Sequence, residues 1–115
     1  MKKILAGVLM AASLSALAQS PSSPGAAEVR ALGRLNGEAL ACKQMALVDR
    51  IRIGIVHEAP KTREIGEIFE TATSERFLEM GQTQAACPDG RALSQQIEDG
   101  IQAMRAAFAG AMGKK

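Results

Sequence analysis

Cys42 and Cys87 are the only cysteines in this 115-residue chain, and more than a third of it lies between them. If they are joined, the chain must fold back until their α-carbons lie within about 6 Å of each other. Two cysteines allow a single intramolecular connectivity, so whether the bond forms depends on the compartment.

The N-terminus speaks to the compartment. Met1-Lys2-Lys3 is positively charged, and Ile4 to Leu17 is an uncharged run rich in Leu, Ala, Val and Met. Ala16-Leu17-Ala18 then offers small residues at a cleavage point. The apolar run is shorter than the roughly 20 residues needed to span a bilayer. Residues 1–18 therefore read as a signal peptide cleaved after Ala18 rather than a retained anchor, and no lipid-accepting cysteine follows. The expected location is the periplasm, with secretion beyond the outer membrane open, and no stable membrane span remains after cleavage. In that oxidising setting Cys42 and Cys87 read as one structural disulfide, and closing a loop of this length contributes about 4 kcal/mol. A redox-active pair would sit as C-x-x-C.

Cleavage also changes the charge. The chain has 14 Lys and Arg against 12 Asp and Glu. Lys2 and Lys3 go with the leader, so the remainder from Gln19 is electrically neutral. A neutral chain without Trp or Tyr lacks both the basic surface and the stacking platforms that nucleic-acid binding uses.

Beyond a polar, flexible leader over residues 19–25, the chain reads as one helical domain over residues 26–113. Residues 26–57 are rich in helix formers and free of Pro. Their apolar positions make two stripes: Leu35, Ala39, Cys42, Ala46, Ile53 and Val56 on one side, Leu40, Leu47, Ile51 and Ile55 on the other. Residues 50–55 alternate with period two, as a strand would, but no second strand exists to pair with them. Gly33, Gly37 and Ala41 recur every fourth residue, which reads either as a strip for close helix packing or as a weak early turn.

Ala59-Pro60 ends this first segment, since the residue before Pro is pushed away from helix. A second helix is predicted to Met80, stopped by Gly81. In it Phe77 and Leu78 fall off the face made by Ile65, Ile68, Phe69, Ala72 and Met80, which suggests a kink or restart near Thr71–Ser74. The last helix is the clearest: Leu93, Ile97, Ile101, Met104, Phe108 and Met112 are three or four residues apart, with Asp89 or Cys87 as its cap. The predicted fold is all-α, a small antiparallel three- or four-helix bundle with one disulfide.

The residues that carry chemistry are sparse. His57 is the only histidine and, with Glu58 and Glu64, is the candidate metal set. A helix-terminal His favouring the dipole is the preferred reading, because H-E-x-x-H and similar spacings are absent. Met45, Met80, Met104 and Met112 could suit Cu(I), but each lies on or near an apolar stripe where Met fills core. No serine has a G-x-S-x-G setting. The chain is not expected to be an enzyme, and no cofactor is implied. Glu64, Glu67, Glu70 and Glu75 make the second helix acidic, either as a solvated face attracted to the basic first segment or as a surface for a basic partner. The expected function is accessory, inhibitory or immunity-type binding of another cell-envelope protein. The alternative is a periplasmic stress chaperone or a metal-responsive binding protein.

Overall fold

The computed structural model describes residues 23–113, so the signal-peptide reading of residues 1–18 and most of the leader lie outside the described residues. Those described are helical, with no strand among them: α1 (Ala26–Ala41), α2 (Met45–Glu58), α3 (Arg63–Thr83) and α4 (Gly90–Gly113). Cys42 and Cys87 form a disulfide, with α-carbons 5.7 Å apart.

The single first segment expected over residues 26–57 is two helices. The Lys43 amide donates to the Leu40 carbonyl at 3.1 Å and the Gln44 amide to Ala39 at 2.8 Å, with Lys43 at φ 58°. This pair of bonds around a left-handed residue closes a helix C-terminus. A lysine holds the position that glycine usually fills, so composition gave no warning of the break. The mirror-image surprise is in α3. The helix passes through Gly81 and stops at Gln84, again left-handed at φ 52°. It also runs without interruption past Thr71–Ser74. Phe77 and Leu78 fall off the buried face because they are exposed, and no restart occurs.

At the other end, Ser23–Gly25, expected as the tail of a flexible leader, form a turn. The Ser23 carbonyl accepts from the Ala26 amide at 3.0 Å. Gly25 lies at φ 85°, and a β-carbon there would enter the Phe108 ring. The start of α1 is thereby seated on the far end of α4.

The registers of contact set the architecture. Gly25 meets Phe108 while Gly100 meets Leu32, so α1 and α4 run antiparallel. Arg50 bonds Glu98, Gly54 abuts Ile101 and Glu58 bonds Arg105, so α2 and α4 run parallel. The stripe Leu93, Ile97, Ile101, Met104 and Phe108 is buried throughout, against Val29, Leu32, Val48 and Ile51. These three helices hold the core.

The backbone of the fourth helix, α3, lies against α1 and approaches neither α2 nor α4, while its Ile65 side chain reaches the core. The Gly33–Gly37 strip makes this possible. A β-carbon on Gly33 would lie 2.7 Å from both the Ala72 β-carbon and the Phe69 carbonyl, and one on Gly37 would strike the Thr73 carbonyl. Gly33 facing Phe69 and Gly37 facing Thr73 make the pair parallel. Within the seam Asn36 Nδ2 donates to Thr73 Oγ1 at 3.2 Å. The Thr73 hydroxyl, 3.1 Å from the Gly33 carbonyl and 2.8 Å from Phe69's, shares its one proton between them.

Not every helical glycine has such a reason. Gly66 and Gly81 lie inside α3, and a β-carbon on either would meet nothing within 4 Å. Gly66→Ala and Gly81→Ala are each expected to stabilise the protein by about 0.5–1 kcal/mol, because alanine loses less backbone entropy in a helix. Denaturant titration checks this as a rise in midpoint at unchanged slope.

Candidate functional site

Two surface features deserve the name of candidate site, and each gathers residues singled out by sequence. The first is the outward half of α3. Because only α1 lies against its backbone, α3 leaves a wide face uncovered. Glu67, Glu70, Ser74 and Leu78 fall on one line along that face by helical spacing. All are exposed, as are Glu64 and Glu75. Among the described residues Glu67 pairs with Arg63 at 3.5 Å on its own helix, and Glu70 and Glu75 make no ion pair.

Phe77 and Leu78 stand on the same helix toward its C-terminal end, within one turn of Glu75, and are 46% and 58% exposed. With Leu40, Thr73 and Ser74 they line a mainly apolar groove of about 420 Å³. Phe77 also borders a smaller hollow of about 190 Å³ reaching Ala41, Met80 and Cys87. An apolar strip therefore runs from Leu78 across Phe77 to the disulfide, flanked on α3 by acids.

The remaining acid of α3 is held inward. Glu79 accepts from Arg76 at 2.6 Å and from Arg34 of α1 at 2.8 Å, and Arg76 also reaches Glu38 of α1 at 3.1 Å. The hydrogen bonds from Arg76 and then Arg34 hold the Glu79 carboxyl below the usual carboxylate range. Of these contacts Arg34–Glu79 joins a base of the first segment to an acid of α3, whereas Arg76–Glu38 joins a base of α3 to an acid of α1. Partly exposed to solvent as they are, these pairs add little to stability. Their role is to fix which face of α3 turns inward.

The second feature is a cavity of about 600 Å³ where α2 ends and α3 begins. His57, Glu58 and Glu64 all border it. They do not converge as metal ligands: among the described residues no group of three His, Cys, Asp or Glu could hold a metal ion. Glu58 accepts from Arg105 Nε at 3.0 Å, and Glu64 accepts from the Ser23 hydroxyl at 2.9 Å. The methionines are equally dispersed: Met80 and Met104 are buried, Met45 is exposed on α2, and the side chain of Met112 lies outside the described residues.

Sequence reasoning found the acids and the histidine but missed Leu40, Phe77 and Leu78. The available signal was their departure from the apolar stripe of α3. An off-stripe aromatic next to a leucine is as much the mark of an exposed anchor as of a broken helix.

No protein-family model matches the chain, and comparison with curated proteins and with solved structures finds no match.

Proposed function

We propose that this is an exported helical protein that acts by binding another protein of the cell envelope, and that the outward face of α3 is where it binds. The observation that carries this is the pairing of two exposed large apolar side chains, Phe77 and Leu78, and the groove at their feet, on a helix whose exposed surface also carries Glu70 and Glu75. Apolar anchors surrounded by charge are how small interfaces concentrate their energy. The acids select for Lys or Arg flanking the apolar residue of the partner, and repel acidic competitors. The chemistry calls for a basic amphipathic segment with one bulky apolar side chain entering beside Leu40. The disulfide, exposed at Cys87, suits an oxidising compartment.

The test compares capture from envelope extract by the wild-type protein and by Phe77→Ser/Leu78→Ser. Both residues are exposed, so the double variant is expected to keep its melting temperature. It is expected to bind the captured partner more than tenfold more weakly, as loss of interface anchors does. Glu70→Lys/Glu75→Lys should weaken the same partner and flatten the dependence of binding on salt. An identical set of captured proteins for all three forms would refute the reading. Suppression of client aggregation, unchanged in the double variant, would move the protein to the chaperone class instead.

A further inference from the structure

We propose that the cavity between the end of α2 and the start of α3 is a separate site for a small organic cation, an ammonium group carried on an apolar body. Its volume of about 600 Å³ falls in the range of small-molecule sites, roughly 300–1,000 Å³. Its floor is apolar and packed: Ala59, Ile65 and Phe108 are each less than 10% exposed. Pro24 and Pro60 complete rigid walls. Such a surface accepts a hydrocarbon or aromatic body without rearrangement.

The polar groups at the mouth choose the head group. Two carboxylates, Glu58 and Glu64, border the cavity with His57, and among the described residues neither Lys nor Arg does. Glu58 is already bonded to Arg105, which approaches from α4. Glu64 accepts only the Ser23 hydroxyl among the described residues, so its negative charge is uncompensated. The closing end of α2 adds partial negative charge through its free carbonyls. One of them, that of Val56, already draws an ammonium: Lys61 Nζ donates to it at 3.0 Å from outside the cavity. The opposing dipole at the start of α3 is partly satisfied by Thr62, whose hydroxyl oxygen accepts from the Ile65 amide at 3.2 Å. An anion would meet two carboxylates here. A metal ion would find, among the described residues, no three ligands within reach of one point. An ammonium meets Glu64 with its charge and Phe108, Pro60 and Ile65 with its body.

Three probes sharing one body separate the contributions: phenethylammonium, 2-phenylethanol and phenylacetate, titrated into the purified protein and followed by amide chemical shifts. The ammonium is expected to bind roughly tenfold more tightly than the alcohol, the value of one charge-assisted contact, and phenylacetate not at all. Shifts should map to Ser23, residues 57–65 and Phe108. Glu64→Gln, a conservative change at an exposed position, should bring the ammonium down to the alcohol. Equal binding of all three probes, a preference that survives Glu64→Gln, or shifts centred on Phe77 and Leu78 would each overturn the proposal. The last outcome would leave the α3 face untouched as a protein-binding surface.

Discussion

Replacing Cys42 and Cys87 together with alanine is expected to lower the midpoint of thermal unfolding by roughly 15–30 °C. The disulfide closes a loop spanning α2 and α3, and restricting that loop in the unfolded chain contributes about 4 kcal/mol. In a domain of this size each kcal/mol moves the midpoint by about 4–8 °C. The loss should be felt locally as well. The bond pins the C-cap of α1 to the segment that leads into α4, and turns built on Lys43 and Gln84 lie on its two sides. Both residues hold left-handed backbone that glycine would adopt without penalty. Calorimetry of the oxidised protein, the reduced protein and the double variant provides the measurement. A drop below about 5 °C would mean the unfolded chain is already restrained without the bond.

Gly37→Leu should cost about 3 kcal/mol, the upper end for overpacking, and its damage should be confined at first to α3. A side chain at Gly37 meets the Thr73 carbonyl, the Arg76 β-carbon and the Phe77 amide nitrogen. Two of these are backbone, which cannot rotate aside, so the helices must part. Because α1 is the only helix whose backbone lies against α3, parting removes most of what holds it. Amide exchange in residues 65–80 is expected to accelerate on the order of a hundredfold, the equivalent of about 3 kcal/mol. Amides around Ile97 and Ile101 should stay protected. Uniform acceleration across all helices would show that α3 is an integral part of the core rather than an appendage.

Some of this could be read without coordinates. The last helix was plain because Leu93, Ile97, Ile101, Met104 and Phe108 repeat so regularly that only a helix can gather them on one side. The disulfide followed from cysteine number and compartment. The break at Lys43 was not legible, since a left-handed cap built on lysine leaves no mark in composition, whereas Gly81 looked like a stop and lies inside the last turn of α3. The strip of Gly33 and Gly37 is visible in the sequence, as is Ala72 on the apolar face of its helix; that Ala72 and Thr73 meet the strip is not, because periodicity gives a face and not its partner. At the candidate sites, His57, Glu58 and Glu64 are near one another in sequence and so were found together. Ser23 and Phe108, which complete the same cavity, come from opposite ends of the chain and meet only through the tertiary fold.

The docking of α3 on α1, with all of α2 between them in the chain, governs how this molecule must assemble. Neither α2 with α3 nor α3 with α4 forms a packed hairpin, so the segments around α3 gain nothing from meeting their sequence neighbours. Folding has to close long loops before those contacts reward it, which raises the entropic barrier above that of a bundle zipped hairpin by hairpin. For an all-helical chain of this length, refolding should be slow. Its last event is expected to be the seating of a helix against two glycines.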